Sequence, residues 1–222
     1  MTTGTGKPAR ASGQAGRVRA MAAGDAVLAD ALHVWRHPKA MGSAGRCIGH
    51  TDLPVDRRKA KRVARRIQAF ARRQGLARRV WTSDLQRSRA VGRWLARWGW
   101  RHTVLRDLRE SDFGGWDGQL WADIPVAEID AWARDLTHTR PGGGESVAML
   151  LQRVTRIRQA LPPQALVVSH GGWMSAARWL DGQGEPGAAS EAPAASAGPQ
   201  AAHWPPAPRH GQRWSLRGDG EV

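Results

Sequence analysis

The period of the apolar positions changes along the chain. Residues 31–36 (ALHVWR) form a short apolar run, the pattern of a buried strand. From 57 to 74 the spacing becomes helical: Ala60, Val63, Ala64, Ile67, Phe70 and Ala71 share one face, and Asp56 stands where a capping side chain belongs. Residues 79–82 (RVWT) read as a second strand and 86–98 as a second helix. A third strand is predicted over 101–106, a glycine-rich turn over 110–118 and a helix over 124–136. Val147, Leu150, Leu151, Val154 and Ile157 line one face of a helix over 145–160, entered from Gly142–Gly144 and stopped by Pro162 and Pro163. Residues 165–169 (ALVVS) are continuous and rich in β-branched side chains, which predicts a central strand. Gly171 and Gly172 then turn the chain into a last helix, 173–180, and 212–217 (QRWSLR) read as a late edge strand.

Strands alternating with helices predict an α/β fold of three layers, α/β/α, around a mostly parallel central sheet. Sheets of this kind bind ligands beyond the carboxyl ends of their strands. The chain divides into a flexible leader (1–28), a folded domain (29–181), an Ala/Pro/Gly-rich loop or linker (182–210), and an edge strand with a tail (211–222). Residues 1–24 of the leader carry Lys7, Arg10, Arg17 and Arg19 but no acid and no apolar period, and Met21 stands as an alternative start within it. The polar stretch 37–56 is long for a connection in a compact domain, which marks it as a site loop.

Composition narrows the chemistry. Of 222 residues, 41% are hydrophobic and 24% charged, enough for a sizeable core. No run approaches the length of a membrane span. Cys47 is the single cysteine, so neither an internal disulfide nor a multi-cysteine metal cluster can form. A reducing, cytoplasmic setting suits that composition. The 34 Lys and Arg outweigh 19 Asp and Glu, giving a formal charge of +15 and a field that favours anionic partners. Residues 57–79 hold eleven Lys or Arg and no acid. That helix is read as a solvated face packed by its apolar stripe. The rival is a nucleic-acid-binding surface, which no recognised nucleic-acid fold motif accompanies.

Two predicted strands end alike, the first at Arg36-His37 and the last at Ser169-His170, so both histidines belong to the same sheet edge. Arg36 and Arg87, the latter opening the second helix, offer planar forks that match phosphate oxygens. Glu110 sits in a glycine-rich loop beside Phe113 and Trp116, a setting suited to general acid–base work.

Five pieces stand in order: His33-Val34-Trp35-Arg36-His37-Pro38; Thr82-Ser83-Asp84-Leu85-Gln86-Arg87-Ser88; Leu108-Arg109-Glu110 with Phe113-Gly114-Gly115-Trp116; Gly143-Gly144-Glu145-Ser146; and Val168-Ser169-His170-Gly171-Gly172. Together they resemble the histidine phosphatase superfamily, the phosphoglycerate-mutase-like proteins, over about 31–180. The resemblance implies a phosphoglycerate-mutase-like fold and a metal-independent phosphomonoesterase acting on a small phosphorylated substrate. It implies His37 as the nucleophile, Arg36 and Arg87 as the phosphate clamp, His170 as the second histidine, and Glu110 as the acid and then the base. No cofactor and no metal are expected, and no acidic cluster or HExxH-type spacing is present. The chain departs from the family at Pro38, where glycine is usual, and at Ser88. Lys39 brings compensating charge to the altered loop.

Gly45-Arg46-Cys47-Ile48-Gly49-His50-Thr51-Asp52-Leu53-Pro54 resembles the loop of alpha-ribazole phosphatases, with Ile48 in place of an aromatic residue. This adds Arg46 and His50 to the substrate-binding candidates and points to alpha-ribazole 5′-phosphate in cobalamin assembly. A broad-specificity or phosphoprotein histidine phosphatase and a phosphoglycerate mutase stay open. The short stretch 120–143 favours a phosphatase over a mutase. The sequence does not choose between monomer and homodimer. Glu145 and Ser146 are read as helix-start chemistry.

Overall fold

The carboxylate of Asp56 accepts from the Lys59 N–H at 2.9 Å and opens helix α1 (Arg57–Gln74). The buried face of α1 is the predicted set: Ala60, Val63, Ala64, Ile67, Phe70 and Ala71. Its arginines and Lys59 are exposed to solvent, while Lys61 lies half-buried over the Trp94 ring. The computed structural model describes residues 31–183 and 198–216, together with Met1. The rest of the leader expected at 1–28, residues 184–197 of the expected linker, and the tail beyond 216 lie outside the described residues.

Five strands, β1 (Leu32–Arg36), β2 (Arg79–Thr82), β3 (Arg101–Val104), β4 (Leu166–Ser169) and β5 (Arg213–Leu216), form one sheet in the order β3-β2-β4-β1-β5. The first four are parallel, and β5 runs antiparallel to β1 at the edge. Side chains alternate across the sheet as pleating requires. Leu32, Val34 and Val167 enter a core under α4 (Val147–Ala160) and α5 (Gly171–Gln183). Trp35, Leu166 and Val168 enter a second core under α1 and α2 (Gln86–Arg97). Burying one such Val, Leu or Ile side chain contributes about 1.5–3 kcal/mol. The molecule is therefore the three-layer α/β/α fold with a mostly parallel central sheet. A satellite cluster of Cys47, Trp116 and Ile124, joined by Ile129 and Trp132 of α3 (Val126–Arg134), sits under the loops.

Element ends differ from the sequence reading where neighbours decide them. The third strand stops at Val104 rather than 106, because its partner among the described residues, β2, is four residues long. Residues 106–108 become a 3-10 turn instead. The helix predicted at 145–160 starts at Val147, with the Ser146 hydroxyl accepting from the Met149 N–H at 3.3 Å. Gly171 and Gly172, read as a turn, are the first residues of α5. Among the described residues no helix is long and apolar enough to cross a membrane.

Candidate active site

The sheet order makes β1 and β4 neighbours although they lie far apart in sequence. Arg36 pairs with Ser169 in register, and the His37 N–H donates to the Ser169 carbonyl at 3.0 Å. His37 and His170 thus leave adjacent strands at the same level. Their ring centroids are 4.7 Å apart with 55° between the planes.

Both rings are buried, His170 completely. Burial pushes both imidazoles well below their ordinary 6.5; Arg87 adds to this at His37, and His37 and then Arg87 add to it at His170. Both are neutral in the resting protein. The His37 Nδ1 lies 2.7 Å from the Pro38 carbonyl. A carbonyl only accepts, so Nδ1 carries the proton and Nε2 keeps its lone pair. Pro38 lacks the N–H that glycine would offer, yet its carbonyl orients the ring. His170 Nε2 is 2.7 Å from the buried Ser83 hydroxyl, and its Nδ1 is buried with no hydrogen-bond partner among the described residues.

Two guanidinium groups flank the pair. Arg36 donates Nη1–H to the Pro208 carbonyl at 2.8 Å, while its buried Nε–H has no partner among the described residues. Arg87, 1% exposed, donates to the Thr51 carbonyl at 2.7 Å and to the Gly49 carbonyl at 2.5 Å. Burial lowers both guanidiniums from their ordinary value, and the Glu110 carboxylate opposes this. The loop that Arg87 grips is also stitched by Asp117. That carboxylate accepts from the N–H groups of Gly49, His50 and Thr51 at 2.9, 2.6 and 2.7 Å and from the Thr51 hydroxyl at 2.8 Å. Cys47 inside the loop is fully buried, which pushes its thiol up to about 12 and removes it as a nucleophile. Ser88, a departure from the family pattern, donates its hydroxyl to the Val168 carbonyl at 2.8 Å.

Glu110 is buried, and one carboxylate oxygen accepts from the Ser111 N–H at 3.0 Å and the Gly172 N–H at 2.8 Å. A Cβ on Gly172 would stand 2.6 Å from that oxygen, so any side chain there would have to push the carboxylate aside. The backbone leading to Glu110 is held by Arg153, which donates to the carbonyls of Asp107, Arg109 and Glu110 at 2.7, 3.0 and 3.2 Å. Arg153 in turn forms a two-pronged pair with Glu145 at 2.9 and 2.7 Å. Glu145 therefore braces the Glu110 loop, where the sequence suggested only a helix-start charge.

These elements enclose a cavity of about 390 Å³. Arg36, His37, Lys39, Arg46, Arg87 and Glu110 line it, with Ile48, Phe113 and Trp121 as an apolar wall. His170 lies behind the lining, against His37 and Ser83. His50 does not line the cavity: its Nε2 is 3.0 Å from the Glu110 carbonyl and its Nδ1 3.8 Å from Asp112. Among the cavity residues that sequence reasoning does not single out is His210, from the stretch read as loop or linker. Its only sequence signal is position. It precedes an edge strand that starts where an antiparallel β1 ends. Among the described residues no group of three or more His, Cys, Asp or Glu side chains is arranged to hold a metal ion.

A fold with histidines side by side at two parallel strand ends, flanked by a buried Arg87 and a half-buried Arg36, defines a phosphoryl-handling class. The family model for the histidine phosphatase superfamily (branch 1) matches residues 32–190, and the chain belongs to that superfamily. Among solved structures it is similar to TTHB049 from Thermus thermophilus, at 29% identity and a TM-score of 0.56 over 68% of this chain and 85% of that one. It is also similar to a mycobacterial glucosyl-3-phosphoglycerate phosphatase, at 28% identity and a TM-score of 0.54 over 67% and 77%. The alpha-ribazole phosphatase of Shigella flexneri shares the fold at 24% identity and a TM-score of 0.56 over 65% and 76%. No curated protein matches the chain.

Proposed function

We propose that the protein is a phosphomonoesterase that works through a phosphohistidine on a small phosphorylated metabolite. The His37 Nε2 lone pair attacks phosphorus, forming the N–P bond as the ester P–O bond breaks. Glu110 gives its proton to the leaving alkoxide. It then takes a proton from water, whose oxygen attacks the phosphohistidine and releases phosphate and His37. Arg36, Arg87 and His170 meet the charge on the equatorial oxygens during both transfers. Covalent attack divides one difficult displacement into two easier ones.

The observation that carries this reading is the His37 ring itself. It is neutral, fixed through Nδ1 to the Pro38 carbonyl, and opens onto a cavity rich in cations. The test is a panel of sugar, nucleotide, phosphoglycerate and alpha-ribazole phosphates, assayed with and without EDTA, beside His37→Ala. Release of phosphate that persists in EDTA and vanishes in the variant is expected. Loss of turnover in EDTA, or isomerisation of 3-phosphoglycerate in place of hydrolysis, would contradict it.

Within that class we propose alpha-ribazole 5′-phosphate as a substrate to test first. In support, Arg46 and Ile48 of the loop 45–54 that prompted it are among the residues lining the cavity. A kcat/KM at least about tenfold above that for simple sugar phosphates, a difference of about 1.4 kcal/mol, is the result expected. A glucosyl phosphoglycerate hydrolysed faster would assign the site to the other substrate type.

A further inference from the structure

His210 reaches the cavity on a pinned segment. The Arg36 N–H donates to the Gln212 carbonyl at 3.0 Å, and the Gly211 N–H donates to the Arg36 carbonyl at 2.9 Å. The Arg36 side chain holds the Pro208 carbonyl, and the Arg209 N–H donates to the Gln212 side-chain oxygen at 2.9 Å. Residues 208–212 are thus tied on both sides to the residue before the nucleophile. The His210 ring centroid stands 5.3 Å from that of His37 at the exposed rim of the cavity.

The two nitrogens of His210 have different tasks. Nδ1 lies 3.1 Å from the His37 carbonyl, which only accepts, so Nδ1 is the donor. Nε2 is left with its lone pair. Burial, then Arg36, Lys39 and Arg87, lower this imidazole from its ordinary 6.5, while the bond to the His37 carbonyl raises it, so the neutral ring with an acceptor nitrogen prevails at neutral pH. A phosphoryl group poised for attack stands about 3–3.5 Å from the His37 nitrogen, within reach of a ring this close. Of the other groups lining the cavity, Arg36, Lys39, Arg46 and Arg87 are donors only, and the Glu110 carboxylate, an acceptor, is engaged by the Ser111 and Gly172 N–H groups.

We propose that His210 is a substrate-binding residue of this site, whose Nε2 takes a hydrogen bond from a protonated phosphoryl oxygen or, having taken that proton, donates a hydrogen bond to the dianion. The inference rests on the phosphomonoesterase reading and adds to it an acceptor for the P–OH of a monoanionic ester on the His37 side of the cavity, while Glu110 serves the leaving oxygen and water.

The side chains of Asn and Gln separate the two nitrogens. Asn can reproduce the Nδ1 bond to the His37 carbonyl and has nothing at the Nε2 position. Gln extends to the Nε2 position and abandons the Nδ1 bond. Binding of inorganic phosphate by calorimetry, and KM and kcat on the best phosphomonoester, are to be measured for wild type, His210→Asn and His210→Gln. Thermal melts identify any variant that fails to fold. His210→Asn is expected to raise the phosphate Kd and the KM about tenfold with kcat changed less than about threefold; His210→Gln should stay within about threefold of wild type. Wild-type values in His210→Asn, or a loss confined to His210→Gln, would make the residue a structural strut and overturn the proposal. Phosphate binding weakened by His210→Asn in a protein without phosphatase turnover would sink the catalytic reading and leave this one standing.

Discussion

A histidine attacks phosphorus only as the neutral imidazole, with its lone pair on the nitrogen that faces the substrate. His37 meets both conditions before substrate arrives, since burial beside Arg87 disfavours its protonated form and Pro38 fixes its tautomer. The sign follows: protonation inactivates, and the folded value lies below 6.5. After correction for substrate ionisation, kcat/KM should hold on the acid side of 6.5 and fall only further down, as a pH profile will show. Glu110 tests differently. In Gly172→Ala the new methyl would meet the carboxylate oxygen at 2.6 Å and displace it. A drop in kcat of about 10–100-fold with nearly unchanged phosphate binding is expected from steady-state kinetics and calorimetry. Most of these side chains were legible in the sequence, because Arg36-His37 and Ser169-His170 close two strand patterns. His210 was not legible. Nothing local in an Ala/Pro-rich stretch tells that the chain is pinned back onto Arg36.

At the scale of elements, the glycine motifs turn out to join loops to each other. A Cβ on Gly114 would meet the Gly142 carbonyl at 2.2 Å, and Gly142 itself holds φ at +58°. The two glycine-rich turns therefore interlock backbone to backbone behind Glu110. Arg153 from α4 and Glu145 just ahead of that helix hold the 107–110 loop, with side chains 13% and 11% exposed. Breaking the pair from one side leaves a charge with little water. Arg153→Met should destabilise the fold by about 3 kcal/mol in urea titration and lower kcat as well, since the carbonyls of 107–110 lose their anchor. A variant of full activity and stability would show that Glu110 is held without it. The sequence made Glu145 look like a helix-start charge because its partner lies two turns on in α4, a geometry that depends on how the 107–110 loop returns. Helix α1 was readable to the residue, because Asp56 and a strict apolar stripe are local signals. The end of β3 was not, since the length of β2 sets it.

At the scale of the whole molecule, the layered sheet was evident from alternating strand and helix patterns, whereas the strand order was not. The placement of β4 between β2 and β1 is what brings His170 to His37, and it follows from long-range packing of two cores. A third buried histidine, His33, lies within β1. Burial, with Arg213 nearby, pushes His33 down to about 4. A histidine lowered in the folded state binds fewer protons there than in the unfolded chain, so stability is lost as pH falls from about 6.5 to about 4. His37 and His170 act in the same direction. The melting temperature should fall across that window, and less steeply in His33→Gln. The positive field belongs to this scale too. If it steers anions to the cavity, kcat/KM for a dianionic ester should fall about threefold or more between roughly 0.02 and 0.2 M salt.

The central claim is a covalent phosphoryl group on one nitrogen. Rapid quenching of the enzyme with a phosphate-labelled monoester in alkali, followed by peptide mass spectrometry, addresses it directly. The account predicts an acid-labile, base-stable phosphoryl group on His37, absent from His37→Ala. Turnover without any trapped phosphoenzyme, or a label carried by His170, would contradict it.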